Sequence, residues 1–267
     1  MRVLLAFDKF KDALTAPHAC TLAAEALRIR HPDWELDLCP LADGGEGFAE
    51  ILTHATRGEL IHRPVEGPRG RTLEASFGLV PRRHIPAAAL ALLDLPASAD
   101  DAPIAVIEMA AASGLALLPA NQRDPWQTTT RGTGRLIRAA TALGARAILL
   151  GVGGSATHDL GLGALEALGL SFQDADANAV TPPLPAQWPR IQRLTGRVDP
   201  ATPPICIACD VTNPVLGPRG AAAVYGPQKG LRAADHARLE GETSRLARLL
   251  CAHTAQPESL LAAPGAG

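Results

Sequence analysis

"RAILLGVGGSATHDLGLGALEALG", residues 146–169, carries the first structural signal in this chain. "RAILL" is a short apolar run without alternation, the pattern of a strand buried on both faces. "GVGGSATHDLG" is a glycine-rich loop, and "LGALEALG" reads as a short helix. Strand, loop and helix in that order are the unit of a parallel sheet with covering helices.

The same order recurs on the N-terminal side. "RVLLAF", residues 2–7, is an apolar strand that runs into the polar "DKFKD". A helix follows, with Thr15 as N-cap and Leu22, Ala23, Ala26 and Leu27 on one face. "WELDLCP" is a second strand leading into "PLADGGEGF", residues 40–48, and "FAEILTHATRG" is a short helix closed by Gly58. "IHRPVEGPRGRTLEASFGLV" alternates around Gly and Pro turns, as an antiparallel hairpin does. "PRRHIPAAALALLDLPASADDAP" is loop plus short helix, and "IAVIEMA", residues 104–110, is another strand. "TTTRGTGRLIRAATALGA" is a helix with Leu136, Ile137, Ala140 and Leu143 inward. "PICIACDVTNP" is strand then loop, and "HARLEGETSRLARLLCAH" is a helix with Leu239, Leu246, Leu249 and Leu250 on one side. The expected fold class is α/β in two dissimilar parts with a cleft between them. One is a mostly parallel, Rossmann-like or flavodoxin-like sheet from residues 1–62 and 126–267. The other is a smaller mixed part inserted at residues 63–125.

Composition narrows the function. The chain has 267 residues, 47% of them hydrophobic, and a net charge of -2. That balance gives no footprint for nucleic acid, and charges or prolines interrupt every apolar run short of a membrane span. Five scattered cysteines fit a reducing cytoplasm better than a disulfide framework, and "CIAC", within a strand, reads as two core thiols. The N-terminal run lacks a small-residue cleavage site and reads as a strand. Of 25 basic residues only Lys9, Lys11 and Lys229 are lysines, and Tyr225 is the single tyrosine. Arg and Lys are not interchangeable, so a chain this rich in Arg keeps Lys where a compact ammonium is wanted.

In open α/β sheets, ligands bind beyond the carboxyl ends of the strands. "DKFK", "ADGGEG", "GVGGSATHD" and "CDVTNP" all sit at such junctions. Gly153, Gly154, Ser155 and Thr157 offer backbone N–H groups and hydroxyls beside a helix start, a cradle for phosphate. The loop is neither a Walker loop nor G-x-G-x-x-G nor G-x-S-x-G. Asp210 and Asp159 are the candidate Mg²⁺ ligands, with Asp43 and Glu46 as further carboxylates on these loops. Lys9, Lys11 and Lys229 could supply positive charge for phosphoryl transfer.

Together these segments resemble the bacterial class I glycerate kinases. The match runs in order through "AFDKFKDALTA", "PLADGGEGF", "GPRGRTLEASFGL", "AVIEMAAASGLALL", "TTTRGTGRLI", "GVGGSATHDLGLGALEALG", "CDVTNPVLGPRGAAAVYGPQKG" and the final "GAG". The resemblance implies ATP- and Mg²⁺-dependent phosphorylation of D-glycerate, mostly to 2-phosphoglycerate; the cytoplasm is read from the cysteines, and monomer and homodimer both stay open. The candidate catalytic residues are Asp43, Glu46, Lys11 and Lys229, with Asp8, Lys9 and Asn213 around the substrate; Asn213 also sits where the family has Asn. Lys9 stands where the commoner family pattern has Ser. Thr157, His158, Asp159, Leu160 and Gly161 stand where the family usually has T-N-D-G-G. Similar proteins also continue past the final "PGAG", so activity of these 267 residues alone is an open expectation. Two other readings share the sequence: a kinase of another small hydroxy acid, and a non-catalytic ligand-binding protein.

Overall fold

Nine strands and eight α-helices were found in a computed structural model that describes residues 1–11, 13–93 and 101–266. Asp12 of "DKFKD", residues 94–100 of the Pro- and Ala-rich stretch, and Gly267 of "GAG" lie outside the described residues. In chain order the elements are β1 (Arg2–Leu5), α1 (Ala16–Arg30), β2 (Glu35–Leu38), α2 (Phe48–Ala55), β3 (Glu59–Glu66), β4 (Thr72–Val80), α3 (Ala87–Leu92), β5 (Ile104–Glu108), α4 (Ala110–Ser113), α5 (Arg131–Ala142), β6 (Ala147–Gly151), α6 (Leu162–Ala167), β7 (Leu170–Gln173), β8 (Arg193–Gly196), β9 (Ile205–Ala208), α7 (Ala221–Tyr225) and α8 (His236–His253).

The α/β class is as expected. The central sheet has the order β3-β4-β5-β6-β9. β5, β6 and β9 are parallel, and β3 and β4 form the expected antiparallel hairpin on one edge. β1 and β2 pair in parallel beside this sheet, and β7 with β8 makes a further antiparallel pair. The expected division does not follow the sheets. β4 and β5, within residues 63–125, belong to the same sheet as β6 and β9, joined to β6 through register pairs such as Val106 with Leu149. A second core arises further along the chain, where Phe172, Trp188, Ile191, Leu239 and Leu246 bury one another among α6, β7, β8 and α8.

Burial explains the main sheet. Val65, Phe77, Ile107 and Ile148 meet Leu136, Ile137 and Ala140 of α5 on one face. Phe48 and Ala49 of α2 meet Val80 and Val106 on the other. Fully burying such a side chain is worth about 1.5–3 kcal/mol, which is why a continuous apolar run becomes an inner strand. Leu143, expected inward, is 41% exposed at the frayed end of α5.

Thr15 caps α1 as expected, accepting from His18 N–H. The buried stripe of α1 differs, however, being Ala16, Ala19, Cys20 and Ala24, with Leu22 and Ala26 exposed. Small residues let the helix lie close on β1, where the Cys20 thiol reaches the Leu5 carbonyl at 3.2 Å. The expected core thiols of "CIAC" are also corrected, since Cys206 is half-buried and Cys209 is exposed. β9 is an edge strand and presents little apolar cover there. Among the described residues, no helix is long and apolar enough to cross a membrane.

Candidate active site

The register of the parallel strands fixes the site. Glu108, Gly151 and Ala208 end β5, β6 and β9 side by side in one row. The loops that leave this row meet the "ADGGEG" loop, which packs on the strand ends by bare backbone. The Gly153 N–H donates to the Gly44 carbonyl at 3.0 Å. A methyl added at Gly153 would sit 2.8 Å from Gly45 N, and one added at Gly44 would sit 3.0 Å from the Ala208 carbonyl oxygen. These glycines therefore exist for the closeness of loop to loop. That use removes Gly153 N–H from the expected phosphate cradle. Among the described residues, the Gly154 and Ser155 N–H groups keep no backbone acceptor. Gly154 has φ +68°, a conformation that side chains adopt only with strain.

A cleft of about 910 Å³ opens over this row. It collects Lys9, Lys11, Asp43, Glu46, Gly153, Gly154, Ser155, Asp210 and Lys229 from the expected set. Lys9 Nζ donates to Asp43 Oδ1 at 2.8 Å. Burial works against both charges, but the shared hydrogen bond wins. It holds the Asp43 carboxyl below its ordinary range and the Lys9 ammonium above its own. The Gly45 N–H adds a second donor to Asp43. Lys229 is 1% exposed, and its Nζ donates to Ser155 Oγ at 2.9 Å and to the Thr157 carbonyl at 2.7 Å. Burial pulls its pKa down to about 8, partly opposed by the charge of Asp159.

Four expected residues have other work. Asp8 accepts the Lys9 backbone N–H at 2.6 Å, one residue behind the cleft wall. Thr157 is buried and serves Lys229 through its carbonyl. Asn213 accepts from the Tyr225 hydroxyl at 2.7 Å and donates to the Arg219 carbonyl, so it ties the loop before α7. Asp159 is 2% exposed and saturated, accepting from Thr130 N–H and Oγ1 at 2.8 Å and from Gly161 and Gly163 N–H at 3.2 Å. It joins the starts of α5 and α6, and burial raises its pKa. The expected metal role of Asp159 is corrected on that ground.

The departures in the same loop find their places too. His158 is buried against Thr243 of α8 at 3.0 Å, and burial, then Lys229, lowers its pKa to about 3. Leu160 has φ +52°, the backbone conformation that glycine takes freely.

Two residues not expected from sequence belong to the site. Glu108 Oε2 accepts the Ala49 N–H at 2.9 Å and so anchors the start of α2 behind the "ADGGEG" loop. Burial raises its pKa. Arg123 lines the cleft, its main chain packed against Gly230, next to Lys229. Glu108 had a signal, being the one acid in an otherwise apolar strand. Arg123 had none in a chain that uses Arg nearly everywhere.

For magnesium the donor set is all oxygen and sparse. No cluster of three His, Cys, Asp or Glu exists among the described residues. Mg²⁺ needs only one or two carboxylates when phosphate oxygens and waters complete its shell. Asp210 and Glu46, both on the cleft wall, fit an ion that arrives with a nucleotide.

The glycerate kinase family model matches residues 3–267. The chain belongs to the glycerate kinase family. It is 39% identical over 235 residues to the glycerate kinase of Bacillus subtilis (strain 168), covering 87% of this chain and 56% of that protein. It is 37% identical to the glycerate 2-kinase of Escherichia coli (strain K12), covering 94% of this chain and 61% of the relative. A crystal structure from Salmonella typhimurium LT2, of a protein assigned as a glycerate kinase 2, superposes with a TM-score of 0.78 at 37% identity. That match covers 99% of this chain and 66% of the other. The chain thus spans about three fifths of the length of these family members.

Proposed function

We propose that the cleft transfers the γ-phosphoryl group of ATP to the 2-hydroxyl of D-glycerate, giving 2-phosphoglycerate. Family membership supports a glycerate kinase reaction. The observation that carries the reading is one cleft holding an ionised carboxylate, Asp43, and a buried ammonium, Lys229, beside a loop with spare N–H donors.

Phosphoryl transfer asks mainly for positioning and for charge opposite the transferring oxygens. Asp43, kept anionic by Lys9 and Gly45 N–H, orients the acceptor hydroxyl and accepts its proton. Lys229 and the Gly154 and Ser155 N–H groups face the phosphoryl oxygens, and Lys11 adds charge from the cleft rim. Asp210 and Glu46 would hold Mg²⁺, which supplies neutralisation of the nucleotide phosphates when bound. The cytoplasm, with glycerate and nucleotide as the small-molecule partners of a monomer or homodimer, is the location this reading carries.

The test is an ADP-release assay with D-glycerate, with the product identified by phosphorus NMR. ADP formation that requires D-glycerate and yields the 2-phosphate is the expected result. MgATP and glycerate binding without turnover would leave a ligand-binding protein in its place.

A further inference from the structure

Four cations line the cleft: Lys9, Lys11, Arg123 and Lys229. Three are poor receptors for a substrate carboxylate. Lys9 is taken by Asp43 at 2.8 Å. Lys229 spends donors on Ser155 and Thr157. Lys11 is exposed on the loop after β1 and offers only a point charge. Arg123 differs. Its Nε makes one long hydrogen bond to the Leu118 carbonyl, at 3.4 Å. Among the described residues, no carboxylate pairs with its guanidinium and no protein acceptor meets its terminal nitrogens. Its backbone is wedged against Gly230, where an added methyl would overlap the Arg123 carbonyl. Gly230 follows Lys229, so Arg123 and Lys229 line the cleft from neighbouring backbone, while Lys9 and Asp43 come from the loops after β1 and β2.

We propose that Arg123 is the carboxylate anchor of the acceptor site, taking the planar carboxylate of a 2-hydroxy acid through its two terminal nitrogens. A rigid fork matches a carboxylate where an ammonium does not. The assignment makes the site selective for hydroxy acids over neutral polyols and turns the acceptor hydroxyl away from that wall, toward Asp43. It rests on the phosphoryl-transfer reading given above.

The test is titration calorimetry of the whole chain with D-glycerate, with its neutral amide and with MgATP, on wild type, Arg123→Ala and Arg123→Lys. The expected result is a glycerate affinity roughly ten- to a hundredfold weaker in Arg123→Ala, with MgATP affinity unchanged. The preference for glycerate over the amide should vanish there and return in part in Arg123→Lys. Unchanged glycerate affinity overturns the assignment. Equal losses for glycerate and MgATP also overturn it, because they signal a structural role. If wild type binds no glycerate, glycolate and lactate are titrated next. Arg123-dependent binding of either keeps the anchor and refutes glycerate as substrate, and binding of neither overturns both.

Discussion

Lys229→Met separates stability from catalysis at one buried position. The ammonium is 1% exposed, and burial takes its pKa from 10.5 to about 8. That fall of 2.5 corresponds to about 3 kcal/mol of folding free energy, at about 1.4 kcal/mol for each step. The sign follows from proton counting. Between pH 8 and 10.5 the unfolded chain holds a proton that the folded chain has released, so stability rises with pH across that window. Below pH 8 the full cost of the buried charge is present. Methionine removes that cost, but it leaves the Thr157 carbonyl without the donor at 2.7 Å. An unmet buried acceptor costs about 1–3 kcal/mol. At pH 7 the variant should therefore be as stable as wild type or up to about 2 kcal/mol more stable. By pH 10 the difference should move against the variant by about 2–3 kcal/mol. Turnover over acceptor affinity should nonetheless fall by roughly thirty- to a thousandfold, from losing about 2–4 kcal/mol of charge stabilisation in the transition state. Urea denaturation of both proteins at pH 7 and pH 10, with kinetics at pH 7, measures all three quantities. A stability difference that stays flat with pH would mean that Lys229 keeps its proton throughout. A variant far less stable than wild type at pH 7 would make Lys229 a structural anchor.

Three other substitutions test separate parts of the site. Asp43→Asn should cut kcat/KM by roughly tenfold to a thousandfold while leaving the melting temperature nearly unchanged, because the pair with Lys9 is partly open to solvent; a large drop in melting temperature would contradict this. Gly153→Ala should displace the "ADGGEG" loop and cost about 1–3 kcal/mol in a urea melt together with most activity, since its methyl would sit 2.8 Å from Gly45 N; normal kinetics would show that the loops can part freely. Asp159→Ala should lose about 2–4 kcal/mol by stranding the buried N–H groups of Thr130, Gly161 and Gly163, yet leave unchanged the magnesium concentration for half activity; a raised requirement would restore Asp159 as a metal ligand.

Much of the site was legible because strand ends are legible. An apolar run such as "RAILL" fixes where a strand stops, and the loop after it must lie at the carboxyl edge. Rarity marked Lys229 in a chain with three lysines. Other assignments failed where burial alone distinguishes two uses of one residue type. Asp159 and Asp210 look alike in sequence, each lying beyond the carboxyl end of a strand, yet one is saturated by buried donors and the other lies open in the cleft. The face of α1 was misread because alanines and a cysteine outcompete leucines when helix and strand lie this close. The hairpin β3–β4 was recognised, but its partner was not, because alternation within a hairpin says nothing about which third strand its free edge will join.

The contact of Gly153 with Gly44 and Gly45 has a consequence for anyone who would rebuild this protein. Two stretches more than a hundred residues apart in the chain meet main chain to main chain at Gly153, and the Glu46 carboxylate packs on Gly154 beside that contact. Neither can be exchanged for a homologous loop of different width without its mate, because at Gly153 backbone meets backbone with no side chain there to shrink or swing aside, and at Gly154 only a residue without a side chain leaves room for Glu46. Chimaeras and loop libraries should therefore draw "ADGGEG" and "GVGGSAT" together from one parent, as a single transplantable unit.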